Sequence, residues 1–278
     1  MKAAVMFQRG EMPRYTEDFP EPIVNSEDEI LISVKAAAIK HLDRSRASGK
    51  HYSTKGDIYQ AKAIIEIGKM IKLPEGIDDT AAAALPNAVA GSAMALRFRA
   101  AMKAGETVLI NGATGFTGSV AVQIAKHYGA GKIIVTGRNE QRLQSLLALG
   151  ADEIIPIKQD DESFLSQIQH LHNNKPIDII IDYLWGHTAE LILEALKGNG
   201  AFTHKTRFVS IGSVTGDTIQ LSSEILRSVD LQLSGSGLGS WTKEEMQKLF
   251  KEIIPEMFQL AADNKLKAET ETIQLKDI

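Results

Sequence analysis

The chain has 278 residues, of which 44% are hydrophobic and 24% charged, with a formal net charge of −4 and no cysteine. This composition excludes disordered and collagen-like chains, and the acidic balance leaves no electrostatic footprint for nucleic acid. Without cysteine there is no disulfide, no thiolate-ligated zinc, no iron–sulfur cluster and no cysteine nucleophile.

At roughly 150 residues per domain, the length suits two domains or one large one. The first 75 or so residues read as strands and loops. Lys2–Phe7 and Glu29–Ala38 are apolar runs between turn formers, and His41–Ser48 reads as one short helix stopped by Gly49. The first apolar stretch is too short for a signal-peptide core, and no run of about 18 apolar residues occurs, so a soluble cytoplasmic protein is expected. Asp78 and Asp79 suit the start of an alanine-rich helix, and Pro86 suits the first turn of a second one, to about Met102.

A repeating strand–helix pattern follows. Expected strands are Thr107–Ile110, Lys132–Thr136, Asp152–Ile155, Ile177–Ile181, Arg207–Ile211 and Leu231–Ser234. Expected helices are Thr117–Tyr128, Glu140–Leu149, Glu162–Leu171, Thr188–Leu196 and Ser222–Val229. Short apolar strands alternating with helices predict an α/β domain, a parallel sheet covered on both faces in the Rossmann manner. A long amphipathic helix is expected from about Thr242 to Asn264, kinked or broken at Pro255. The alternating tail Thr270–Leu275 reads as a strand returning to the N-terminal domain. The expected division is therefore 1–77, 78–240 for the nucleotide-binding domain, and 241–278 for the helix and return.

The sharpest motif is Val108-Leu109-Ile110-Asn111-Gly112-Ala113-Thr114-Gly115-Phe116-Thr117-Gly118, an apolar strand running into a glycine turn that opens a helix. Missing Cβ atoms let the backbone approach a pyrophosphate, and the helix start presents N–H groups to it. A turn kept for structure alone is the alternative. The second strand ends Val135-Thr136-Gly137-Arg138-Asn139, with Arg142 one turn on and Glu140 past the acidic slot of NAD-binding domains. An arginine there favours the 2′-phosphate of NADP(H) over NAD(H); a solvated helix-start arginine is the plain alternative.

Residues 111–130 resemble the cofactor loop of zinc-free medium-chain dehydrogenases/reductases, in the quinone oxidoreductase (zeta-crystallin-like) branch. Leu73-Pro74-Glu75-Gly76, Leu149-Gly150-Ala151-Asp152, Ile181-Asp182-Tyr183, Phe208–Ser213 and Leu233–Ser236 follow in the family's order. The resemblance implies a GroES-like barrel for the substrate and a Rossmann domain for NADPH, the nicotinamide lying between them. It implies that Ala113, Thr114, Gly115, Phe116, Thr117 and Gly118 hold the pyrophosphate. Gly137, Arg138 and Arg142 would hold the adenosine phosphate, and Tyr183, Leu184, Ile211 and Gly212 would line the ribose and nicotinamide. Tyr183, Leu184 and Ile211 read equally as packing residues.

Zinc-dependent relatives begin their metal site with Cys-His-x-Asp, and the matching stretch here is Lys40-His41-Leu42-Asp43. His41 and Asp43 alone make a poor zinc site, and His170 and His172 point different ways on a helix, so no metal is expected. Lys40 and Ser45 stand where zinc-free relatives carry asparagine and tyrosine. Lys40 is the candidate catalytic residue, donating to a carbonyl oxygen as charge develops; a solvated lysine or an ion-pair partner of Asp43 is the alternative.

The expected activity is NADPH-dependent, metal-free reduction of a quinone or α,β-unsaturated carbonyl. Alcohol/aldehyde interconversion and a non-catalytic NADPH sensor are the alternatives. A homodimer is expected, since Leu231–Ser234 would be a sheet edge and relatives pair that strand across a twofold axis. The barrel is expected to be incomplete. Tyr52-Ser53-Thr54 meets Lys55-Gly56-Asp57 without the family's strand pair, a second omission is expected at Gln60-Ala61, and the chain stops at Ile278 before the family's final helix and strand. Omitted mobile segments are preferred over a natural deletion.

Overall fold

The fold was obtained as a computed structural model that describes residues 1–8, 10–49, 64–66, 70–198, 200 and 204–278. Two compact units divide it: Met1–Ala84 with Glu269–Ile278, and Leu85–Ala268. The division falls at Ala84/Leu85 where 77/78 was expected, and of the segment 241–278 the helical part to Ala268 groups with the second unit and the tail from Glu269 with the first. The junctions at Thr54–Lys55 and Gln60–Ala61 lie outside the described residues.

In the first unit, β1 (Ala3–Val5) pairs antiparallel with β2 (Arg14–Thr16), and β3 (Glu29–Leu31) with β4 (Ile64–Glu66). The strand expected over Glu29–Ala38 thus ends after three residues. Helix α1 spans His41–Ala47, and Gly49 follows it at φ 76°, the left-handed conformation that ends helices. The tail is no strand. Leu275–Asp277 forms one 3₁₀ turn, and Thr270 Oγ1 lies 3.1 Å from Thr80 Oγ1. Side-chain alternation predicted a ladder there, but a ladder needs a partner edge.

The second unit is a six-stranded parallel sheet. Its strands are β5 (Thr107–Asn111), β6 (Lys132–Gly137), β7 (Glu153–Pro156), β8 (Ile179–Asp182), β9 (Thr206–Ser210) and β10 (Leu231–Gly235). They lie in the order β10-β9-β8-β5-β6-β7, so the order reverses beside β5. β5 and β8 are buried throughout, as continuous apolar runs at the centre of a doubly covered sheet should be. One core lies between the sheet and helices α5 (Asp161–Asn174) and α6 (Gly186–Ala195), built on Leu109, Ile134, Phe164, Ile180, Ile192 and Phe208. Helices α3 (Phe116–His127), α4 (Glu140–Leu147) and α7 (Ser223–Ser228) complete the crossovers.

Two prolines sit inside helices. Helix α2 (Asp79–Met94) runs straight through Pro86 and continues as a π-helical turn over Ala95–Arg99. Leu85, Ala88, Val89, Ala93 and Met94 are fully buried, and that burial offsets the backbone bond Pro86 cannot make. Near the end, α8 (Lys243–Lys248) passes through a π turn at Leu249–Ile253 into α9 (Ile254–Ala262), with Pro255 in the first turn of α9. The interruption expected at Pro255 thus takes the form of a π turn just ahead of the ring, after which α-helix resumes.

Candidate functional site

The glycine turn forms where β5 ends beside β6 and β8, at the point where the sheet order reverses, and ligands of open α/β sheets bind at such points. Gly112 sits at φ +87°, and a Cβ there would lie 2.8 Å from the Leu184 side chain. Gly118 has no space at all: its Cβ would come 2.5 Å from Ala113 Cα and 2.7 Å from Gly112 O, both backbone. Helix α3 therefore rests directly on the turn that precedes it. Gly115 caps α3 in extended conformation, and nothing lies within 4 Å of the position its Cβ would occupy. The first N–H groups of a helix lack intrahelical partners, and at this helix start the Cβ position of Gly115 faces open space. Ala113 N–H is spent on Thr136 O at 2.8 Å, which anchors the turn to β6 and removes that donor from any ligand.

Gly137, expected at the adenosine phosphate, has a second reason to be glycine: a Cβ would run into the Thr114 side chain. The structure separates Arg138 from Arg142. Arg142 Nη1 donates to Thr114 O at 3.3 Å, bracing the glycine turn, and α4 starts on Asn139, whose side chain accepts from Arg142 N–H. Arg138 instead lines an open groove of about 510 Å³ with Asn139, Glu140 and Lys158. Lys158 was missed in the sequence. The signal that could have found it is strand order, because β7 lies beside β6 and Lys158 follows the end of β7 by two residues. Two cations against one carboxylate leave the groove net positive.

The opposite wall is the turn after β8. Tyr183 is 8% exposed, and its hydroxyl lies 2.8 Å from Ser92 Oγ on α2, so its ring packs inward. Burial pushes the Tyr183 phenol well above the ordinary tyrosine range, the Ser92 hydrogen bond opposing it. The side chain expected to line the ribose is thus a packing element; only its backbone belongs to the turn. Leu184 covers Gly112, and Ile211 approaches Gly91 of α2, as does Thr117. Ile211 N–H donates to Asp182 O at 2.8 Å, and Gly212 N–H to the same oxygen at 3.3 Å. A Cβ on Gly212 would stand 2.7 Å from Tyr183 O, so glycine keeps these two turns together.

Lys40 precedes α1. Its backbone N–H donates to Asp43 Oδ2 at 2.8 Å, so Asp43 serves as a helix-start acceptor. Partial burial lowers the Lys40 ammonium pKa, and the Asp43 charge opposes that shift. His170 Nε2 lies against Asn174 Nδ2 and His172 Nδ1 accepts from Ile177 N–H, so the two histidines serve local structure.

The family pattern of zinc-binding dehydrogenases matches residues 117–254. Quinone oxidoreductase of Homo sapiens is 32% identical over 213 residues, covering 77% of this chain and 60% of the relative. The chain is thus similar to zinc-binding dehydrogenases over its second unit and to quinone oxidoreductase over 77% of its length. Mitochondrial enoyl-[acyl-carrier-protein] reductase of Arabidopsis thaliana is 30% identical over 181 residues, 63% of this chain and 46% of that protein. The chain thus spans less than two thirds of these relatives' lengths. Among solved structures, the quinone oxidoreductase of Pseudomonas syringae pv. Tomato DC3000 superimposes with TM-score 0.75 at 21% identity, over 100% of this chain and 94% of that one. That of Escherichia coli, complexed with NADPH, gives 0.73 at 21% over 97% and 90%. These likenesses establish the fold, a Rossmann sheet with a GroES-like unit. Among the described residues, no three His, Asp or Glu side chains gather as a metal site would need.

Proposed function

We propose that this chain is a member of the medium-chain dehydrogenase/reductase superfamily, in its quinone oxidoreductase branch, and an NADPH-dependent, metal-free reductase of a quinone or an α,β-unsaturated carbonyl, acting as a cytoplasmic homodimer. The observation that carries the reading is the pairing of the glycine turn that opens α3 with a groove holding Arg138 and Lys158. The residues fit the cofactor's shape of charge. The α3 start and the turn Ala113–Gly118 receive the pyrophosphate, and Arg138 and Lys158 grip the 2′-phosphate. Leu184, Ile211, Gly212 and the backbone of Tyr183 bound the ribose and nicotinamide. When bound, NADPH supplies the hydride. The chain's contribution is to orient and exclude water, and Lys40 donates a proton to the substrate oxygen as negative charge develops there.

The dimer reading rests on β10, the last strand of the sheet, whose Leu233 side chain is 38% exposed. The activity is tested by following NADPH oxidation with a panel of quinones, enones and aldehydes. Turnover with quinones or enones is expected. Turnover with aldehydes alone, or NADPH binding without turnover on any of them, overturns the reading.

A further inference from the structure

The regular ladders of β5 end just below the site, with two further backbone bonds beyond them, Ala113 N–H to Thr136 O at 2.8 Å and Tyr183 N–H to Asn111 O at 3.1 Å. The β5–β8 ladder stops at Asn111–Asp182 and the β5–β6 ladder at Ile110–Val135, and beyond them the chain diverges into turns. At that height sit three polar side chains, Asn111, Thr136 and Asp182, all 0% exposed. They form one line of hydrogen bonds. The Thr136 hydroxyl accepts from Gly112 N–H at 3.2 Å and donates to Asn111 Oδ1 at 2.6 Å. Asn111 Nδ2 donates to Asp182 Oδ1 at 2.8 Å and to Thr188 Oγ1 at 3.2 Å. Asp182 accepts Leu184 N–H at 3.0 Å and Trp185 N–H at 3.1 Å.

Both ends of this line are backbone N–H groups of the site's walls: Gly112 on one side, Leu184 and Trp185 on the other. The second wall is under strain. Trp185 stands at φ 58°, ψ −163°, a conformation that disfavours any side chain, and the Asp182 carboxylate holds its N–H there. Burial raises the Asp182 carboxyl pKa, while the Leu184, Trp185 and Asn111 donors pull it back. Placing a carboxylate in a core that apolar side chains could fill costs stability. A local cap for Trp185 would need no line reaching β6.

We propose that Asp182 is a positioning residue that sets the Gly112 turn and the Tyr183–Trp185 turn in register through Asn111 and Thr136, and so fixes the width of the cofactor site. The inference rests on the NADPH reading above. Asp182 touches neither cofactor nor substrate; it acts through the backbone of the two walls. Side-chain bonds here add to the two backbone bonds that tie the turns to β6 and β5 where the regular ladders of β5 have ended.

The test measures NADPH affinity directly, by nicotinamide fluorescence, for Asp182→Asn, Thr136→Val and the double variant, with thermal midpoints alongside. Ile180→Val, a fully buried change on the same strand, serves as the control. Each single variant is expected to weaken NADPH binding about tenfold. The double variant is expected to lose little more than either single, because one broken line cannot be broken twice. Ile180→Val is expected to lower the midpoint while leaving the affinity in place. Singles within twofold of the unaltered protein, losses that multiply in the double, or an affinity loss in the control that tracks its midpoint would each overturn the proposal. Should Asp182→Asn not fold, Thr136→Val, at the far end of the line, decides alone. If the unaltered protein does not bind NADPH, the functional reading falls and takes this inference with it.

Discussion

Arg138, just past the end of β6, and Lys158, just past the end of β7, line the same open groove although 20 positions separate them in sequence. Parallel neighbouring strands deliver both cations to one place, while the first turn of α4 brings Glu140 to the rim. If the groove takes the 2′-phosphate, Arg138→Glu and Lys158→Glu each weaken NADPH binding by about 1.5–3 kcal/mol while leaving NADH nearly unchanged. Calorimetric titration with both cofactors checks this. Equal losses for the two would remove the groove from the cofactor site.

Gly118→Ala tests the close approach of α3 to the turn. The added methyl meets backbone at 2.5 Å and 2.7 Å, so the helix has to retreat rather than a side chain rotate. The expected cost is about 1–3 kcal/mol of stability, together with a clear loss of NADPH affinity. Gly115→Ala is the matched comparison, since its Cβ enters open space: the unliganded protein keeps its melting temperature, and binding suffers alone.

Lys40 has a lowered pKa from burial, partly restored by Asp43. A proton donor must be protonated to act, so kcat is expected to fall as pH rises through that lowered value. The basic limb then lies below the ordinary lysine range. Lys40→Met should lower kcat and kcat/KM together, abolish that limb and leave NADPH affinity intact. A pH–rate profile of both proteins decides it; an unchanged basic limb in the variant returns Lys40 to a structural role.

The β10 edge predicts self-association. Light scattering at micromolar concentration is expected to give twice the chain mass, and Leu233→Lys, which puts a charge on the exposed edge, is expected to give the single chain mass. A monomer in the unaltered protein would contradict the twofold pairing.

The strands of the second unit were legible in the chain's own letters. All six sheet strands lie within two residues of the apolar runs that announced them, because central parallel strands must be apolar on both faces and local composition records that. The glycine turn was legible for the same reason: Gly112 needs positive φ and Gly118 needs an absent Cβ, and both demands are written into single letters. What only the tertiary structure decided was non-local. Lys158 gained its meaning from β7 lying beside β6, and Asp182 from Asn111 of β5, which bonds to it and in turn accepts from Thr136 of β6. The two prolines differ. Pro86 was read as the first turn of a new helix, yet burial of α2 carries one helix through it, whereas the α-helix before Pro255 does give way to a π turn. The alternation at Thr270–Leu275 predicted a strand that did not form, since a strand exists only by hydrogen bonding to another, and a segment's own residues do not specify its partner.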